Sequence, residues 1–247
     1  MQQTERYNGK AALCAAFLLV FTGFPATAGA SISVSPVLLE LDQQHSKDIV
    51  RVANVSEATK SFEVNVVAWT QSDQDREIYA DTGDLIAVPP LFTLAPGEEQ
   101  IVRVGLMRAP DADNELAYRV FFTELAPPEL EQPTASGISM RLRFGVPAFV
   151  APLAEAAPGI EFTGVQRIDG NVFLGLSNTG NVRVKITEIR FRPPIAENSD
   201  SKSAVYYLHP GKSGMLPLTF DALDMGGTVE LETDTAGVLS YVLAGTR

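Results

Sequence analysis

Apolar and polar positions alternate along most of the chain over short runs, the two-residue period of half-buried β-strands. In FEVNVVAW, residues 62–69, Phe62, Val64 and Val66 alternate with Glu63 and Asn65. KDIVRVANVS before it, AYRVFFTEL after it and SMRLRFGVPAFV ending at Val150 read the same way. Turn clusters separate them: TQSDQD, DTGD and APDADN. No stretch carries a sustained helical period. The pattern predicts an all-β chain of antiparallel sandwiches. A break rich in alanine and proline, APLAEAAPG at residues 151–159, precedes a second strand series: IEFTGVQRI, NVFLGLSN, VRVKITEIRF, VYYLH and VLSYVLAG. Two sandwiches are expected, over residues 31–150 and 159–247, and the short linker between them predicts a fixed angle and a cleft.

The first thirty residues are a different kind of text. Arg6 and Lys10, diluted by Glu5, form a basic start, followed by the apolar run AALCAAFLLVFTGF. That run is short for a bilayer span, and Ala28 and Ala30 fit a small-residue cleavage site before Ser31. Residues 1–30 are therefore expected to be a cleaved export signal, with no stable membrane insertion afterwards. Cys14 is the single cysteine and lies inside this segment, so the exported chain folds without disulfides.

Composition narrows the function by exclusion. A hydrophobic content of 45% supports real cores, and a net charge of −11 argues against coating nucleic acid or an anionic membrane. Without a cysteine beyond Cys14, thiolate metal sites and cysteine nucleophiles are excluded. His45 and His209 sit in apparent turns and read as solvated. HPGKSG lacks the glycine spacing of a phosphate loop, and GLSNTG lacks that of a nucleophile elbow. No enzyme, cofactor or metal is expected. Asn54-Val55-Ser56 is formally a glycosylation sequon. Trp69, the only tryptophan, sits in a strand pattern that suggests core, which weakens a carbohydrate-binding reading.

Several pieces together resemble the periplasmic pilus-assembly chaperones. In order they are SISVSPVLLEL, IVRVANVSE, VPPLFTLAPGEEQIVRV, FFTELAPPE, MRLRFGVPAFVAP, LGLSNTGNVRVKI, LHPGKSGMLPL and YVLAGTR. They span nearly all of the chain after residue 30. The resemblance implies two immunoglobulin-like β-sandwiches in an L-shaped arrangement. It also implies a function: lending an edge strand to a fibre subunit that lacks one, and delivering that subunit to an outer-membrane usher.

The resemblance carries roles onto particular residues. In GISMRLRF, Ile138, Met140 and Leu142 would be the donated apolar side chains, while Arg143 on the other face would grip the client's terminal carboxylate. The family's second cation, on the first strand, is matched here by Leu38, or by Val37 if the register slips by one. No lysine or arginine occurs from Ser31 to Ser46. That departure keeps open an alternative, an exported immunoglobulin-like binding protein with a degenerate cleft and a different partner. An inter-domain charge network of Arg103, Glu124 and Asp234 is implied as well, and Pro89 is a candidate cis-proline.

Overall fold

The computed structural model describes residues 31–72, 76–126, 141–195, 199–221 and 223–245. The expected signal, residues 1–30, and the expected donor residues Ile138 and Met140 lie outside them. Among the described residues the regular structure is strand, apart from a 3-10 turn at Leu223–Met225, and no helix is long and apolar enough to cross a membrane.

The first sandwich contains β1 (Ile32–Ser35), β2 (Leu39–Leu41), β3 (Lys47–Asn54), β4 (Lys60–Gln71), β5 (Glu77–Asp81), β6 (Leu85–Val88), β7 (Leu91–Leu94), β8 (Glu99–Leu106), β9 (Leu116–Glu124) and β10 (Arg143–Val150). One sheet runs β1-β3-β8-β6; the other runs β2-β10-β9-β4-β5, with β7 also on β4. Strand alternation sends Val50, Val52, Val102, Val104, Phe62, Val64, Val120 and Phe122 into the shared core. Among the places where the chain changes sheet are the short links between β1 and β2 and between β6 and β7. The cis peptides Ser35–Pro36 and Val88–Pro89 lie at these two crossings, so Pro89 takes the expected form.

The second sandwich contains β11 (Ile160–Ile168), β12 (Asn171–Asn178), β13 (Val184–Arg192), β14 (Asp200–Leu208), β15 (Ser213–Leu218), β16 (Gly227–Thr233) and β17 (Val238–Leu243). Its sheets run β11-β12-β15 and β14-β13-β16-β17, over a separate core that includes Leu174, Leu176, Ile186, Phe191, Val229 and Leu231. The expectation of two β-sandwiches thus matches the architecture.

One device is repeated in both sandwiches. Asn54 ends β3 and Asn178 ends β12, and each is buried and fully engaged. Asn54 Nδ2 donates to the carbonyls of Ala58 and Leu94, while its Oδ1 accepts from Ser56. Asn178 Nδ2 donates to the carbonyls of Val182 and Leu208, and its Oδ1 accepts from the Gly180 amide. In both, the Asn main-chain carbonyl receives the amide of a Pro-Gly turn, Gly97 or Gly211, whose φ values of 79° and 66° suit glycine. Each asparagine therefore ties a strand end to a loop and to the start of the opposite hairpin. The same bonds make the Asn54 sequon unavailable, because its amide nitrogen is already committed inside the fold.

Replacing Asn54 by Ala leaves the Ala58 and Leu94 carbonyls without their donor in a buried setting. The substitution is expected to lower stability by about 2–4 kcal/mol, measured by urea unfolding followed through Trp69 fluorescence. A change within measurement error would contradict this role for Asn54.

Candidate functional site: an open strand edge above a charged cleft

The β10 strand is paired on one side only for most of its length. It runs antiparallel to β9 from Arg143 to Val150, whereas β2 covers its other edge only at Ala148–Val150. Among the described residues, the edge from Arg143 to Pro147 has no neighbouring strand. Register decides which groups face outward. Glu124 N donates to Leu142 O, which makes Leu142 and Glu124 a hydrogen-bonded pair. Leu142, Phe144 and Val146 therefore direct their main-chain groups at β9. The main-chain groups of Arg143 and Gly145 point to the open side, and Pro147 brings no N–H. Among the described residues the first strand, β1, pairs with β3 alone and leaves its second edge open as well. The three-residue link from β1 to β2 brings the two open edges to the same side of the sandwich.

The side chains alternate across β10. Phe144 points inward, stacked on Phe122 at 4.9 Å, and Leu142 continues that face at 37% exposure. Arg143 is on the opposite, outer face. Glu124 fixes the entry of the strand: Oε1 pairs with Lys60, and Oε2 accepts from the Leu142 amide at 3.2 Å.

The outer face of the β9 sheet forms a floor of alternating cations and aromatic rings. The Arg143 guanidinium lies 4.0 Å from the Phe121 ring centre. Phe121 meets Tyr79 edge-on at 5.4 Å. Arg119 lies 3.9 Å above Trp69, hydrogen-bonds the Tyr79 hydroxyl at 2.8 Å and pairs with Glu77. Gly145 makes this possible, since a Cβ there would sit 2.8 Å from Arg119 Cδ and Phe121 Cε1. Burial, then the hydrogen bond to Glu77, push the Tyr79 hydroxyl up to about 12, against the pull of Arg119 and Arg143.

Where this floor meets the second sandwich, the contact is both aromatic and ionic. Trp69 packs against Phe149 at 5.7 Å, Tyr207 at 5.3 Å and the His209 ring at 4.5 Å. Gln71 spans the junction: its Nε2 donates to Tyr207 O at 2.7 Å and its Oε1 accepts from His209 N at 2.8 Å. Arg183 of the second sandwich is buried over Phe149 and pairs with Glu115 at 2.6 Å and Glu40 at 2.7 Å, both in the first. Burial opposes the Arg183 charge, yet the two carboxylates hold its pKa above the ordinary value. Burial pushes the Glu115 carboxyl up despite Arg183. The linker is strapped to both sides: Leu153 and Ala154 donate to Asp111 and Ala112, and Ala157 exchanges bonds with Asn181. A Cβ at Gly180 would collide with the Ala157 carbonyl, which explains glycine there.

The ionic network expected from the sequence is not the one the structure builds. Arg103 is exposed on the outer face of the β3 sheet, because alternation turns it away from Val102 and Val104. That face and the β9 sheet's outer face lie on opposite sides of the sandwich. Glu124 pairs with Lys60, and Asp234 accepts from the Lys185 amide. None of the three bridges to another, and Arg183, Glu115 and Glu40 carry the inter-domain charge instead. His209, expected to be solvated, is 4% exposed, because Trp69 of the other sandwich covers it. Leu38 is half-buried in the link between β1 and β2, and supplies no charge. Among the described residues no cluster of side chains suited to a metal ion occurs.

Comparisons with known proteins bear on this geometry. A family model described as "Pili and flagellar-assembly chaperone, PapD N-terminal domain" matches residues 31–155. No curated protein matches the sequence. Among solved structures, the chain is similar to one in the CsuC–CsuE chaperone–tip adhesion subunit pre-assembly complex of Acinetobacter baumannii, with TM-score 0.64 and 16% identity over 88% of this chain and 100% of that one. It is similar to one in the complex of Salmonella enterica SafA pilin with the SafB chaperone, with TM-score 0.60 and 15% identity over 88% and 99%. It is also similar to the E. coli chaperone DraB, with TM-score 0.55 and 15% identity over 86% and 96%. At these identities the likeness is one of fold.

The junction carries a pH dependence through His209. Burial, then the charges of Arg119, Arg183 and Lys212, lower its pKa from 6.5 to about 4. The unfolded chain takes up the proton first, so this contribution is complete above pH 6.5 and is lost as pH falls toward 4. Over that window the protein is expected to lose about 3 kcal/mol more than His209→Phe, measured by urea unfolding at pH 7 and pH 4. Equal losses in the two proteins would contradict it.

Proposed function

Because the chain belongs to the pili and flagellar-assembly chaperone family, we propose that it holds fibre subunits in the periplasm by lending them the open edge of β10. The observation that carries this reading is the five-residue edge from Arg143 to Pro147, unpaired among the described residues and continuous with the apolar face of Leu142 and Phe144. A subunit lacking one strand exposes main-chain donors and acceptors together with an apolar groove, both prone to aggregation. The outward main-chain groups of Arg143 and Gly145 answer the first need. The inward alternation of Leu142 and Phe144 answers the second, and the sequence carries apolar residues at the same two-residue spacing at Met140 and Ile138.

The same reading places the client's end in the cleft. A strand added to β10 lies beside it in the sheet, next to Arg143, the cation of the floor nearest that edge. Arg143 has no carboxylate partner among the described residues, so it is available to a terminal carboxylate. The junction of Arg183, Glu115 and Glu40 then holds the second sandwich at the closed end of that floor. Export through the signal at residues 1–30 and handover to an outer-membrane usher complete the proposal. Pilus-type subunits are the clients it favours.

Co-expression with a strand-deficient fibre subunit encoded beside it is expected to yield a one-to-one complex that resists proteolysis. A subunit equally soluble and equally protected alone would remove the chaperone role. Within such a complex, Arg143→Ala should weaken binding about tenfold, the loss of one charge-assisted contact at an exposed site. Unchanged affinity would take Arg143 out of the account and favour a partner that does not use this cleft.

A further inference from the structure

At the end of the first sandwich away from the junction, the β9–β10 ladder is finished by a side chain. Glu124 is the last residue of β9, opposite Phe62 of β4 on one side and Leu142 on the other. In a regular antiparallel pair of this kind the two residues exchange both N–H···O bonds. Here Glu124 N donates to Leu142 O at 2.8 Å, but the Leu142 amide returns to Glu124 Oε2 at 3.2 Å, a carboxylate oxygen where a carbonyl is usual. The other oxygen, Oε1, pairs with Lys60 at the start of β4, which itself lies opposite Leu94 of β7. Most surface ion pairs contribute little because water surrounds them. This one is covered, with 14% of the Glu124 side chain and 15% of Lys60 exposed. One carboxylate thus gathers the ends of β4 and β9 and the start of β10.

Its place in the strand gives that arrangement a use. Phe144 is inside the core, stacked on Phe122 and edge-on to Phe62 at 6.3 Å. Leu142, next on the same face, is 37% exposed, so it is where the sandwich stops covering its own strand. The last pair of a ladder frays most readily, and a frayed end has to be ordered again when a partner binds. The Leu142 amide faces β9, so the bond that holds it does not compete with a strand added on the open side.

We propose that Glu124, held in place by Lys60, is a positioning residue of the lent strand: it keeps Leu142 in strand conformation before a client arrives. The inference rests on the chaperone reading and deepens it, since that reading does not say what orders the start of β10. A carboxylate is required because both of its oxygens accept. Glutamine has one acceptor oxygen, so serving Leu142 turns its NH2 group toward the Lys60 ammonium, and serving Lys60 turns it toward the Leu142 amide.

Amide hydrogen exchange by NMR on the free protein, together with affinity for the strand-deficient subunit of the co-expression experiment, tests this. In Glu124→Gln the Leu142 amide is expected to exchange about tenfold faster and the subunit to bind about tenfold more weakly, the loss of one charge-assisted bond. Phe144 and Val146 should keep their wild-type exchange rates. Adding Lys60→Met removes the competing donor and leaves the glutamine oxygen to Leu142, so both quantities should return to within about threefold of wild type. Should Glu124→Gln fail to fold, Glu124→Asp decides: it keeps the charge for Lys60 but falls short of Leu142, and the same two changes are expected. An unchanged Leu142 rate, a rise shared equally by Phe144 and Val146, or losses that Lys60→Met does not recover would each overturn the proposal. Unchanged affinity in a variant whose Leu142 amide has loosened would overturn it too, and would leave the chaperone reading standing. Failure of the wild-type protein to bind the subunit would remove that reading, and this inference with it.

Discussion

A charge taken out of water must keep its partners, and the buried guanidinium of Arg183 keeps two from the other sandwich. Glu115 and Glu40 reach it across the junction, and Phe149 lies beneath it. Such a pair adds little net stability over an apolar contact, but it tolerates few geometries, because leaving either charge unpaired costs several kcal/mol. Trp69, Gln71 and His209 pack around it and narrow the choice further. The angle between the sandwiches therefore follows from satisfying Arg183, and the cleft floor inherits its orientation from that angle.

That floor lies under an edge the fold could have closed. The early switch of the chain from β1 to β2 covers β10 only over its last three residues and leaves Arg143 to Pro147 open. Open edges invite uncontrolled pairing. Among the described residues the edge ends in a proline without an N–H and carries an arginine on its outer face. These features limit what can pair with it to a partner that tolerates the cation, and a strand ending in a carboxylate does so. The strand edge supplies affinity without sequence dependence, and the cations select for a chain terminus.

Much of the fold was legible in the sequence because its signals are local. Two-residue alternation marked the strands, and the polar clusters TQSDQD, DTGD and APDADN marked breaks between them. Alternation also placed Arg143 opposite Leu142. The junction was not legible, because its pairs are far apart in sequence and nothing in local spacing joins Arg183 to Glu115 or Glu40. Arg103 illustrates the limit. Alternation says that it faces away from Val102 and Val104, but not which sheet's outer face meets the second sandwich. His209 reads as a solvated turn residue until Trp69 covers it. Arg119, in AYRVFFTEL, reads as an ordinary outward strand charge until Trp69, Tyr79 and Gly145 enclose it.

The central claim is that the open edge of β10 becomes an interior strand when a client is held. Amide hydrogen exchange measured by NMR on the free protein and on its one-to-one complex with a fibre subunit tests it most directly. In the free protein the amides of Arg143 and Gly145, which face the open side, should exchange fast, while those of Phe144 and Val146, bonded to β9, exchange slowly. In the complex Arg143 and Gly145 should slow to the rate of their neighbours. If they exchange as fast in the complex as in the free protein, the client is not held by this strand.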